Sequence, residues 1–428
     1  MIRLHPLPES AHACPYCSSA LEARGWYMPG MRPLARLGCA LCGRTYFGDL
    51  GAAQALYTPM LLEEETGQVH DTYGVPWFAQ WLRSSYAARS AEPLPFTAEE
   101  FRPIRRPIIL NCFDKLYGHA LLKLLNAQHY LDHHPDLDLI VLVPRYLRWM
   151  VPNGVAAIWT VDIALRRGTE WNDWLAAEIA RRIEPLPECM LSVALPHPHP
   201  DDIDVERFTG IPPFPEERWA SAPANAVVTF IWREDRLWQP VPEGMRRMAQ
   251  KLQRKVGLAA SRVPEQREKV IELATAIRRE IPGLRFVVAG FGEPGGLPEW
   301  MEDRRRTSIN EATEREWCGL YAESHIVIGV HGSNMLLPSG HAGAVIDLMP
   351  EDRWANMLQD LMVRYADPRE SMIHCQLVPV SISPEETAAM AVSTLQNRNA
   401  MMLNMGRAST IHAGINPGSF AVERLLLK

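Results

Sequence analysis

The chain has 428 residues, more than one ordinary domain holds, so two large domains and a small module are expected. A hydrophobic content of 47% is that of a globular protein, and a formal net charge of −6 gives no electrostatic case for nucleic acid or an anionic membrane surface. No apolar run approaches the roughly 20 residues of a membrane span, and the opening MIRLHPLPES lacks the apolar stretch of a secretory signal, so a cytoplasmic protein is expected.

The first element is a pair of cysteine knuckles. Cys14 and Cys17 stand in CPYC, Cys39 and Cys42 in CALC, with 21 residues between the pairs. Each C-x2-C can place two thiolates on one side of a tetrahedron, and the spacer is long enough for a hairpin. That spacing predicts a closed structural zinc site in a ribbon over residues 1–50. A segment that short buries little core of its own, so a metal staple explains its folding. CPYC also matches the redox pair of glutaredoxin-like proteins, but that chemistry needs a preceding strand and a following helix. Pro6 and Pro8 break the lead-in, and a second pair follows. Arg24, Arg32, Arg36 and Arg44 give the ribbon a basic bias, which favours a rival function: protein or nucleic-acid contact through the ribbon. Cys112, Cys189, Cys318 and Cys375 are scattered and are expected as buried small apolar residues.

Residues 51–104 are expected to form a helical linker region, with WFAQWLRSSYAARS helical and AEPLPFTAEEF a connector. From 105 strands and helices alternate: PIILNC (107–112), the helix HALLKLLNAQHYLDHH (119–134), LDLIVLVP (137–144), GVAAIWTVDI (154–163), the helix at 171–184 and MLSVAL (190–195). A near-continuous apolar run such as 137–144 marks a parallel strand covered on both faces. The Pro-rich stretch 196–219 reads as a junction. A second α/β domain over 216–400 contains strands at 226–232, 284–292, 325–330 and 343–350, with helices at 267–281, 312–324, 354–362 and 383–398, and a tail at 401–428. The expected fold class is α/β: two Rossmann-like domains facing a cleft, 105–215 and 216–400, preceded by the zinc ribbon.

Chemistry is expected at the carboxyl ends of these strands. After 325–330 come His331, Gly332, Ser333 and Asn334, where glycine permits a sharp turn and Ser333 and Asn334 are good helix N-caps. After 226–232 come Arg233 and Arg236, whose fixed forks of donors suit a diphosphate. Gly292 opens the loop GEPGGLPEW, whose glycines let backbone curl around a ligand; it is not a dinucleotide fingerprint. In the first domain Asp114 and His119 follow PIILNC, and either is a candidate base for an acceptor hydroxyl. No metal-binding acidic motif accompanies them. The acidic pairs Asp201-Asp202 and Glu351-Asp352 read as surface loops.

IVIGVHGSNMLLPSGHAGAVIDLMP resembles the pattern of glycosyltransferase family 61 and related fucosyltransferase-like inverting GT-B enzymes: a strand, an HG turn, an apolar stretch, a small loop, and a strand ending acidic–apolar–apolar–Pro. His331, Gly332 and Asp347 fall in that order, and the resemblance implies that His331 contacts the donor phosphate or sugar. LYGHALLKLL resembles the family's first-domain helix start at His119, and FIWREDR its strand-plus-arginine motif at Arg233 and Arg236. Ser333-Asn334 stand where the family has Ala-Gly, and Asp347 where Glu is commoner. The resemblance covers roughly 105–365 and implies an inverting, metal-independent transfer of sugar from a nucleotide-sugar to a glycan or other hydroxyl acceptor. A GT-B-like transferase of a non-sugar group is a further alternative.

Overall fold

A computed structural model describes residues 1–9, 11–56, 59–71, 76–198, 203–239, 258–362 and 368–404. Asp201-Asp202 and most of the expected tail lie outside the described residues. The chain divides between Asp204 and Val205 into two compact units, within the Pro-rich junction.

In the first unit the elements are β1 (Ile2–His5), β2 (Leu21–Tyr27), β3 (Leu34–Cys39), β4 (Thr45–Asp49), β5 (Met60–Glu63), β6 (Val69–Asp71), α1 (Pro76–Ala87), β7 (Phe96–Glu100), β8 (Pro107–Asn111), α2 (Tyr117–His133), β9 (Asp138–Pro144), β10 (Ala157–Val161), α3 (Asp173–Ile183) and β11 (Cys189–Leu191). One sheet runs β1-β11-β8-β9-β10-β7. Its four inner strands are parallel, as βαβ connections require, and β1 and β7 close it as antiparallel edges. All five residues of β8 are buried, and six of the seven in β9, because helices and loops cover both faces. Helix α3 starts where Asn172 accepts the Leu175 N–H at 2.7 Å, and it buries Leu175, Ala176, Ile179 and Ile183 at helical spacing.

The second sheet, β2-β3-β4-β5-β6, is an antiparallel meander. It departs from the expected ribbon of residues 1–50 in two ways. It extends to residue 71, and β1 leaves it to pair with β11 in the α/β sheet. One core runs without a break from Leu21, Leu34 and Tyr46 to Trp159, Leu175 and Ile183. The expected helical linker is corrected likewise: of 51–104, α1 is helical, whereas β5, β6 and β7 are strands. The connector AEPLPFTAEEF contains β7, paired residue for residue with β10.

In the second unit the elements are α4 (Val205–Thr209), β12 (Val227–Arg233), α5 (Leu258–Glu280), β13 (Arg285–Phe291), β14 (Glu302–Arg306), α6 (Glu311–Glu323), β15 (Ile326–Val330), α7 (Leu336–His341), β16 (Val345–Met349), α8 (Pro368–His374), β17 (Cys375–Pro379) and α9 (Pro384–Asn404). The sheet order is β14-β13-β12-β15-β16-β17, and every pairing is parallel. Counted within the unit this is 3-2-1-4-5-6, the doubly wound order whose direction reverses between the first and fourth strands. That switch point lies between β12 and β15. Two strands were not expected. β14 (EDRRR) is a charged edge strand and β17 is half-buried, so neither carries the apolar run that marks a covered strand. The helix expected at 354–362 is a short 3-10 turn over Glu351–Asn356. Its Glu351 and Asp352 are exposed. Among the described residues no helix is long and apolar enough to cross a membrane.

Candidate functional site

The four cysteines converge. Their sulfurs all lie within 4.8 Å of one another, with Cys14–Cys42 at 3.6 Å and Cys17–Cys39 at 3.4 Å. Four thiolates about 2.3 Å from one tetrahedral ion sit about 3.8 Å apart, so the donor set fits zinc with no position left for substrate. Ser19 Oγ lies 3.0 Å from Cys17 Sγ and 3.1 Å from Cys39 Sγ. Its hydrogen bond is the largest cause holding the Cys39 thiol down to about 6, which favours the ligating thiolate. The basic bias nearby is largely neutralised. Arg32 is buried against Asp49, Arg44 pairs with buried Glu63, Arg36 pairs with Glu64, and Arg24 lies across Gly38.

At the carboxyl end of β8 the chain folds back on Asp114, which is 1% exposed. Asp114 Oδ1 accepts the Leu116 N–H at 3.0 Å, and Lys123 Nζ donates to Oδ2 at 3.1 Å and to the Phe113 carbonyl at 2.7 Å. His119 Nδ1 lies 3.5 Å from the same Oδ2 and 3.1 Å from Gln54 Nε2. Gly168 makes the packing possible, since a Cβ there would overlap the Asp114 carbonyl. Burial would raise the Asp114 carboxyl, but the Lys123 ammonium and His119 hold it well below the usual carboxylate range. A carboxylate so acidic and so enclosed is a poor proton acceptor. Of the two expected bases, His119 is therefore the better placed: its ring is 14% exposed and backed by Asp114. Lys123 was missed in the sequence, although a lysine inside the apolar run HALLKLL is a visible anomaly.

At the switch point of the second sheet, Arg233 Nη1 donates to Asn334 Oδ1 at 3.2 Å, and its Nε and Nη2 grip Asp235. Arg236 Nη1 donates to the His331 carbonyl. Burial and the neighbouring Arg233 charge hold the Arg236 guanidinium down to about 10, so it stays cationic at neutral pH. Gly332, at φ +153°, has a backbone conformation that side-chain-bearing residues rarely adopt, and a Cβ there would displace that guanidinium. Residues from two separate segments thus meet at one edge.

His331 was expected to touch the donor. Its ring is instead 0% exposed, with Nδ1 2.5 Å from Asp347 Oδ2 and Nε2 3.2 Å from the Asn356 carbonyl and 3.8 Å from Asp360 Oδ2. It ties β15 to β16 and to the turn at 351–356, and so braces Gly332. Burial raises the Asp347 carboxyl above its ordinary value despite His331, and its Oδ1 has no hydrogen-bond partner. Ser333 and Asn334 are not helix caps either. The cap of the 3-10 turn is Gly332, without a side-chain bond, and α7 is six residues long. The charged donors at this edge are therefore arginine side chains and not the N-terminus of a helix.

Gly292 sits against Trp232 Nε1 and Glu234, and Glu234 Oε1 accepts the Glu293 N–H at 3.1 Å. Beyond it, fully buried Arg305 lies over Trp232, clamps Asp303 and donates to the Gly295 carbonyl at 2.7 Å. Arg305 Nη1 and Arg267 Nε are buried donors with no hydrogen-bond partner, and both flank the Gly295–Gly296 turn. The sequence pointed to the glycine loop but not to these two arginines. An arginine in a charged edge strand carries no outward sign that it turns inward.

No family model matches the chain, and no curated protein matches it either.

Proposed function

We propose that the chain is a metal-independent, inverting GT-B glycosyltransferase. The observation that carries the proposal is the meeting of Arg233, Arg236 and Asn334 with the Gly332 turn at the switch point of a 3-2-1-4-5-6 parallel sheet, the place where such sheets bind nucleotides. The second unit binds the nucleotide-sugar, and the first binds the hydroxyl acceptor. His119 removes the acceptor proton as the oxygen attacks the anomeric carbon and the bond to the diphosphate breaks. The charge that develops on the leaving diphosphate is met by Arg233 and Arg236, with Asp235 giving up part of its hold on Arg233. Zinc, held by Cys14, Cys17, Cys39 and Cys42, supports the fold of the first unit and takes no part in the transfer. The pairing of Arg32, Arg36 and Arg44 with carboxylates weighs against the rival in which the ribbon grips nucleic acid.

A thermal-shift series with UDP-, GDP-, CDP- and dTDP-sugars tests the proposal. One nucleotide class should raise the melting temperature of the parent chain and not that of Arg233→Ala. No shift with any of them at millimolar concentration overturns it.

A further inference from the structure

We propose that His129, His133 and His134 form a divalent transition-metal site on the last turn of α2, distinct from the four cysteines. His129 and His133 are four residues apart and share one helix face. Their ring centroids are 5.0 Å apart, and those of His129 and His134 are 5.3 Å apart. Imidazole nitrogens about 2.0–2.1 Å from a tetrahedral ion place the ligating rings about 5 Å apart, centroid to centroid. Both pairs that include His129 therefore already have the spacing that one shared ion requires.

Their nitrogens do not yet converge. Among the described residues, only the four cysteines form a group of three or more whose ligand atoms do. His129 and His133 are exposed and His134 is half-buried, so the rings have room to turn about their side-chain bonds. The position favours a cation. His134 caps the helix, its N–H bonded to the Tyr130 carbonyl at 3.0 Å, and the carbonyl end of a 17-residue helix carries partial negative charge. Tyr130 packs against both His129 and His134, at 5.4 and 5.8 Å between centroids, and forms the floor of the site. Three imidazoles suit Zn(II), Ni(II) or Cu(II) and leave a fourth position for water or another ligand. None of this depends on the glycosyltransferase proposal.

Calorimetric titration of ZnCl2 into full-length protein already carrying one equivalent of zinc tests the site. A second equivalent should bind. His129→Ala, His133→Ala and His134→Ala should each weaken it at least tenfold, since even outer-shell changes at metal sites cost about 10–100-fold. The melting temperature without added metal should stay the same in the two variants at exposed positions. Absence of a second equivalent overturns the proposal, as does parental affinity in the His129→Ala/His133→Ala double variant. Parental affinity in His134→Ala, with its fold checked by circular dichroism, overturns the three-histidine set.

Discussion

Replacing Lys123 by methionine keeps an unbranched side chain, one atom shorter, and removes the charge from a site that is 1% exposed. The Asp114 carboxylate then loses its donor at 3.1 Å, and the Phe113 carbonyl loses one at 2.7 Å. Removing one partner of a buried ion pair costs about 3–5 kcal/mol, because the other charge stays behind unpaired. For a unit of this size about 1 kcal/mol moves the melting temperature by about 2–4 °C, so a drop of roughly 6–20 °C is expected. The pH dependence carries a signed check. With Lys123 present, the folded pKa of Asp114 is depressed, and its stabilisation is lost as pH falls through that value. Without Lys123, burial is opposed only by His119 and the Leu116 N–H, so the folded pKa rises. The stabilisation that Asp114 supplies near neutral pH is then smaller, and the deficit of the variant should shrink on acidification. Asp114→Asn added to Lys123→Met should recover part of the loss. Calorimetry of the zinc-loaded chain between pH 4 and 8 reads all three effects. A loss under 1 kcal/mol, a deficit that does not change with pH, or a double variant no better than the single would refute the reasoning.

Metal analysis of purified protein should find one zinc at the cysteines, and Cys39→Ser should lower the melting temperature of the first unit, because the cysteine sheet and the α/β sheet share one core. An unchanged melting temperature after chelation would count against that. Arg233→Ala should weaken nucleoside-diphosphate binding by about 1.5–3 kcal/mol, the range for a hydrogen bond to a charged group, and leave nucleoside binding nearly unchanged in calorimetry. His119→Ala should lower turnover about 10²–10⁴-fold without affecting donor affinity; near-parental turnover would move the base elsewhere. His325 is fully buried and accepts the Val227 N–H at 3.2 Å, and burial pushes its pKa down to about 4. Since the unfolded chain binds that proton more readily, stability should fall as pH drops from about 6.5 to 4, by up to about 3 kcal/mol. A flat melting temperature over that range would contradict the assignment.

Local pattern was enough for much of this protein. The C-x2-C spacing pointed to the cluster of four sulfurs because two knuckles have few other ways to meet. The apolar runs at 107–112, 137–144, 226–232 and 325–330 marked the inner parallel strands, which must be apolar on both faces. The arginine after β12 and the glycine turn after β15 were legible as features of neighbouring strand ends, since strand ends and permissive residues are local signals. Tertiary structure decided what local pattern does not carry. β1 and β7 became strands by pairing with β11 and β10, and β14 and β17 by lying at the two ends of the second sheet. Edge strands meet solvent on one side and need no apolar run. The surroundings of individual side chains were decided the same way. Asp114 is a buried ion partner because Lys123, nine residues on, folds onto it. His331 turned inward because Asp347, on the neighbouring strand, offers a buried carboxylate at 2.5 Å. Whether a titratable group faces solvent or is locked away depends on residues distant in sequence, and that distance is closed only by the packing of the sheet.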